Sequence, residues 1–107
     1  MKNYGITHFE AYLDFISTII GCAPNQFPKE DFYTNEEQLD LEKSFRLLDW
    51  KFPLVEERLR DQDLVPELRR LIQASLEAYR QDDDIKGAHL IQDFEALILT
   101  NARRGRT

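Results

Sequence analysis

Apolar residues recur at spacings of three and four along most of this chain, the period of helices that bury one face. The clearest example lies within residues 64–99, where two apolar stripes flank a short acidic turn. The first stripe contains Leu68, Leu71, Ile72, Leu76 and Tyr79. The second contains Ile85, Ala88, Ile91, Phe94 and Ile98. Together they predict a helical hairpin, with Asp83 or Asp84 as the cap of its second helix.

Two more helices are predicted in the first half of the chain. One covers about residues 8–20, because Thr7 and Glu10 have capping-box spacing. The other covers about residues 35–50, because the sequence T-N-E-E that starts at Thr34 repeats that spacing. In the second of these helices the inward residues are expected to be Leu39, Leu41, Phe45 and Leu48, with Trp50 as a further candidate.

A short helix over about residues 54–60 is predicted after Pro53, since proline is favoured at a helix start. Asp63 is placed to cap the first helix of the hairpin, and Asn101 and Gly105 mark the end of the last one. The expected fold is therefore all-α: a single domain over residues 1–107, formed as an antiparallel bundle of four long helices and one short helix.

Gly87 is the one glycine within the predicted helices of the hairpin. Glycine inside a helix costs about 1 kcal/mol relative to alanine, so its presence needs a reason. With Ala88, it would let the last helix approach its neighbour closely. The alternative is that the start of this helix is frayed.

The overall charge narrows the classes of partner. The chain has 20 acidic and 14 basic residues, a net charge of −6, which argues against nucleic acid and against an anionic membrane surface. It favours a basic protein partner. Cys22 is the only cysteine, and no signal core or membrane-spanning apolar run is present. A cytoplasmic location is the expectation.

No motif of a known reaction is found. The two histidines have no ligand-forming Glu or Cys at the required spacing, and the acidic loop around Asp61, Asp63 and Glu67 lacks the glycine of an EF-hand. Cys22 follows a helix C-terminus, where the dipole disfavours a thiolate. The sequence predicts no metal, no cofactor and no enzymatic activity.

One weak motif keeps a phosphorelay function open. The residues Ala88-His89-Leu90-Ile91 resemble the start of the A-H-x-L-K-G pattern of histidine phosphotransfer domains. The resemblance ends there, because Gln92 and Asp93 stand where those domains have Lys and Gly. A helical regulatory adaptor that uses His89 is therefore the alternative function.

The most distinctive charge pattern lies between Glu30 and Glu42, a stretch with six acidic residues and no Lys or Arg. It also carries Phe32 and Tyr33. Acidic groups accelerate encounter with a basic partner, and an exposed ring can anchor the complex. The predicted partner-binding residues are Glu30, Asp31, Tyr33, Glu36, Glu37 and Asp40. The alternative is an acidic helix start kept for solubility, with the rings holding the loop to the core.

The size, acidity and helical pattern of the chain resemble those of small immunity proteins of bacterial toxin systems, both contact-dependent growth-inhibition and colicin-type. Residues 79–95, about a sixth of the chain, look like a helical hairpin of some of them: an acidic turn, Gly-Ala, then an apolar-acidic helix. The resemblance implies a bacterial, cytoplasmic antidote that binds the C-terminal domain of a toxin. A nuclease is the toxin that best suits an acidic inhibitor.

Overall fold

Five α-helices and one 3₁₀ turn form the fold in the computed structural model, which describes residues 2–103. The four longer helices are α1 (Phe9–Cys22), α2 (Leu41–Trp50), α4 (Val65–Arg80) and α5 (Asp84–Asn101). The short helix α3 (Pro53–Glu56) and the 3₁₀ turn Gln62–Leu64 lie between α2 and α4. The prediction of an all-α bundle with four long helices and one short helix is confirmed. Gly105, predicted to mark the end of α5, lies outside the described residues.

The hairpin of α4 and α5 is the centre of the fold, and α1 and α2 pack against it. Three fully buried rings join these helices: Phe94 of α5 lies 6.5 Å from Tyr12 of α1 and 6.4 Å from Phe52, centroid to centroid. The Tyr12 hydroxyl donates a 2.7 Å hydrogen bond to the carbonyl of Leu48 in α2. Burial raises the pKa of Tyr12 well above its usual range, so the hydroxyl stays a donor.

Gly87 allows α5 to lie directly against α4, as predicted. A Cβ atom at this position would lie 2.8 Å from two carbon atoms of the Tyr79 ring, closer than any real contact. The Ser75 hydroxyl donates a 2.7 Å hydrogen bond to the Gly87 carbonyl across the same contact. The missing side chain therefore serves close packing, and Gly87 itself is buried and helical rather than part of a frayed end.

Two buried serines offer a matched test of hydrogen bonding in this core. Ser75 and Ser44 are both fully buried, but the Ser44 hydroxyl has no partner among the described residues. Ser75→Ala should lower the free energy of unfolding by about 1–2 kcal/mol. Ser44→Ala should be neutral or raise it by about 1 kcal/mol, because it removes an unsatisfied polar group. Urea unfolding of both variants measures the difference, and equal losses would contradict it.

The start of α2 differs from the prediction. The capping-box hydrogen bonds do form: the Thr34 amide donates to the Glu37 carboxylate at 2.9 Å, and the Glu37 amide donates to the Thr34 hydroxyl at 3.3 Å. They close a single turn, and α2 begins only at Leu41, where the Asp40 carboxylate accepts from the Lys43 amide at 2.8 Å. Side-chain bonds to the backbone here compete with helix formation.

Other predicted helix ends are shifted by a few residues. α1 ends at Cys22, two residues beyond the predicted end, and its N-cap is His8 and not Thr7; the His8 side chain makes no capping hydrogen bond. Asp61, and not Asp63, is the capping aspartate before the hairpin; it caps the 3₁₀ turn. The short helix ends at Glu56. At α5 the prediction is confirmed, since the Asp83 carboxylate accepts from the Lys86 amide.

Two residues expected in the core are exposed instead. Ile85 is 73% exposed in the first turn of α5, where no other element covers that face. Trp50 is 47% exposed at the end of α2. Both lie off the buried face of their helix. Ile85 is on nearly the opposite side of α5 from Ile91 and Phe94, and Trp50 lies at the edge of the buried face of α2.

Candidate functional site

Three aromatic rings cluster on the surface at the acidic segment, which we define as residues 30–42. Tyr33 lies edge-on to Tyr4 at 5.6 Å and to Phe32 at 4.8 Å, and the Lys2 ammonium sits 5.0 Å above the Tyr33 ring centre. Tyr33 is thereby half-buried, whereas Phe32 is 77% exposed. Phe32 is therefore the ring that can be inserted into a partner, and Tyr33 packs behind it. Tyr33, and not Phe32, was predicted from the sequence as a partner-binding residue.

The aromatic cluster is held in place by hydrogen bonds of one glutamine. The Gln38 side chain donates to the carbonyls of Glu30 and Tyr33 and accepts from the Glu30 amide at 2.9 Å. The Tyr4 hydroxyl also donates to the Glu37 carbonyl. Burial raises the pKa of Tyr4, and Tyr33 and Glu37 add to the effect, so this donor stays protonated. Gln38 therefore binds the backbone on both sides of Phe32.

The predicted acidic residues divide into two groups. Asp31 and Glu36 are exposed, and their side chains make no hydrogen bond or ion pair within the described residues. Glu37 and Asp40 have structural roles, because their carboxylates accept hydrogen bonds from the backbone amides of Thr34 and Lys43. Glu30 is half-buried and bonds through its backbone. Asp31 and Glu36 are therefore the acids of this segment that a partner can use without loss of structure.

Basic residues from outside the segment approach it, which the sequence count could not reveal. A surface cavity of about 390 Å³ is lined by Lys2, Tyr4, Thr34, Glu36, Glu37, Lys43 and Arg46. The Lys43 ammonium donates to the carbonyl of Gln38 at 2.9 Å. The cavity is therefore mixed in charge, and Asp31 is not among the residues that line it. Of the basic residues that line the cavity, Lys43 and Arg46 lie close to the acidic segment in the sequence, whereas Lys2 does not.

The remaining candidates for chemistry lie apart from this surface. His89 is exposed on α5, and Cys22 is half-buried in the last turn of α1. Within residues 2–103, no three His, Cys, Asp or Glu side chains are grouped so that they could hold a metal ion. None of the helices over the same range is long and apolar enough to cross a membrane.

Comparisons with known proteins add no assignment. No protein-family model, no curated protein and no solved structure matches this chain.

Proposed function

We propose that this protein is an immunity protein: a cytoplasmic binder that neutralises the C-terminal domain of a bacterial toxin, without catalysis of its own. The observation that carries the proposal is Phe32, an aromatic side chain 77% exposed on a loop whose backbone is hydrogen-bonded by Gln38, next to the exposed carboxylate of Asp31. Aromatic side chains are enriched at protein interfaces, and acidic groups beside one favour a basic partner. The net charge of −6 supports steering toward such a partner.

The first test concerns the proposed partner. We expect the reading frame directly upstream to encode a large secreted protein, and the C-terminal domain of that protein to arrest growth when expressed alone. Co-expression of the full chain should restore growth, and the two purified proteins should form a stable complex. A non-toxic upstream domain, or growth arrest that persists despite soluble expression of this chain, would contradict the proposal.

Replacement of the exposed ring is expected to weaken that complex. Phe32→Ala should raise the Kd by roughly 30-fold, because an anchor ring at the centre of an interface contributes about 2 kcal/mol. Asp31→Lys should raise it by about tenfold, mainly through slower association and more strongly at low salt. Titration calorimetry and stopped-flow mixing measure both effects.

Matched controls separate these effects from changes in folding. Ile85→Ala removes an apolar side chain of similar exposure, 73%, from the first turn of α5, outside the acidic segment. Asp14→Lys makes the same charge change on α1, at another exposed position. Glu36 is avoided because it shares a cavity with Arg46. If all four variants bind equally well, the aromatic cluster is not the interface.

The alternative proposal, a phosphorelay-type adaptor, has one supporting observation. His89 is exposed on a helix of a four-helix arrangement, so its imidazole could be reached by a phosphoryl donor. Lys86 lies one turn before it and could contact a phosphate, but Asp93 lies one turn after it and would repel one. Acceptance of phosphate by His89 would distinguish this function from the first.

A further inference from the structure

A second surface, independent of the aromatic cluster, lies between α2 and α4. The two helices form a groove of about 860 Å³ whose floor includes Phe45 and Leu76. Trp50 stands at one end of it, 47% exposed and packed on one face by the Lys51 ammonium, 4.1 Å from the ring centre. Tryptophan in a partly apolar groove is the residue most enriched among binding hot spots.

The charges along the groove are not all neutralised. Arg80 donates to both oxygens of Glu42, and Arg69 donates to Asp49 at 2.6 Å. These bonds join α2 to α4. Each of the two carboxylates that line the groove, Glu42 and Asp49, is therefore paired with an arginine of α4. The hydrogen bond from Arg80 also lowers the pKa of Glu42, so this pair stays ionised near neutral pH.

Two positive charges next to Trp50 have no such partner. Arg46 makes no hydrogen bond and no ion pair with any residue in the described part of the chain, and the only contact found there for the Lys51 ammonium is the Trp50 ring. Glu42 lies one turn before Arg46 on α2, and the charge of Arg46 helps to lower its pKa, but both Glu42 oxygens accept hydrogen bonds from Arg80. Glu36 and Glu37 line another cavity with Arg46 and form no ion pair with it among the described residues. The end of the groove around Trp50 is therefore locally positive on an acidic protein.

We propose that this groove binds an amphipathic helix of a protein partner, with a carboxylate on that helix pairing with Arg46. A groove between two packed helices accepts a third helix by the same ridge-and-groove packing that forms a bundle. Arg46 and Trp50 are four residues apart on α2 and so lie side by side. The matching helix carries an acidic residue one turn from a large apolar one. The proposal does not rest on the immunity function.

The single tryptophan of the chain makes the proposal directly measurable. The probe is a short alanine-based helical peptide with a leucine stripe, no tryptophan, and one glutamate a turn away from the central leucine. Binding should shift the Trp50 emission to shorter wavelength as the ring is buried. A peptide with lysine in place of that glutamate should bind about tenfold more weakly, the loss of one charge-assisted pair.

A charge exchange identifies the contact. Arg46→Glu should reverse the preference, so that the lysine peptide binds more tightly than the glutamate peptide. Arg60→Glu, the same change at an exposed arginine outside the groove, should leave the preference unchanged. The proposal is overturned if neither peptide shifts the emission at millimolar concentration, or if both bind alike. An emission shift with protein concentration alone would also overturn it, because a second copy would then fill the groove. Phe32→Ala tests the immunity surface separately.

Discussion

Phe94→Ala is expected to lower the free energy of unfolding by about 4 kcal/mol, the largest effect of any single change considered for this protein. Phe94 is fully buried on α5 and contacts the rings of Tyr12 and Phe52, so one side chain joins the hairpin to α1 and to the start of α3. Truncation removes the apolar burial and leaves a cavity between three rigid elements. A domain of this size is stable by roughly 5–15 kcal/mol, so the loss is a large share of the total.

Thermal and urea unfolding, followed by circular dichroism, measure this effect, with a fall in Tm of roughly 20 °C. The control is Leu99→Ala on the same helix, where the side chain is 58% exposed. That variant should stay within about 0.5 kcal/mol of the unchanged protein, as surface substitutions usually do. Equal losses at the two positions would mean that α5 does not pack as described.

The sequence predicted the hairpin well because the forces that form it are local in the chain. A spacing of three and four residues defines the buried face of each helix, and Asp83 caps α5 from one residue before it. The connecting turn is short, so the two helices can only pack against each other. The role of Gly87 could also be predicted, because a glycine that destabilises an otherwise regular helix indicates that a side chain would not fit there.

The start of α2 was predicted too early because two capping patterns, at Thr34 and at Asp40, follow each other in the chain. The capping-box spacing at Thr34 was identified correctly, and its hydrogen bonds exist. The turn stops because the Gln38 side chain bonds the backbone of Glu30, eight residues earlier, and Asp40 adopts an extended conformation before it caps α2. A local pattern indicates that a turn begins, but not what competes with it in the folded chain.

The candidate sites show the same limit. The sequence identified the acidic segment and its two rings, but it could not say which ring is covered. Tyr33 is covered by Lys2 and Tyr4, which lie about thirty residues away in the chain, whereas Phe32 has no such cover. Likewise, Trp50 was a candidate for the inward face of α2 but lies at the exposed edge of that face, in the groove beside α4. Exposure depends on which faces find a neighbour, and that is a property of the tertiary fold.

Gly87→Val is expected to cost about 2 kcal/mol, although valine favours helix more than glycine does. A Cβ atom at this position would lie 2.8 Å from the Tyr79 ring, which is 3% exposed and packs against the Phe45 ring. Relief of the clash requires α5 to move away from α4, and the hydrogen bond from Ser75 to the Gly87 carbonyl would lengthen as it does. The loss from overpacking therefore exceeds the gain in helix propensity.

Two comparisons test this explanation for Gly87. Gly21→Val makes the same change inside α1, where an added Cβ would meet nothing within 4 Å, and it should be neutral or slightly stabilising. Combining Gly87→Val with Tyr79→Leu removes the ring that causes the clash. The loss in free energy of unfolding for the double variant should then be smaller than the sum of the losses for the two single variants. A double-mutant cycle should give an interaction energy of about 1 kcal/mol or more. Strict additivity, or an equal loss at Gly21, would show that the close contact between α4 and α5 does not determine the requirement for glycine at position 87.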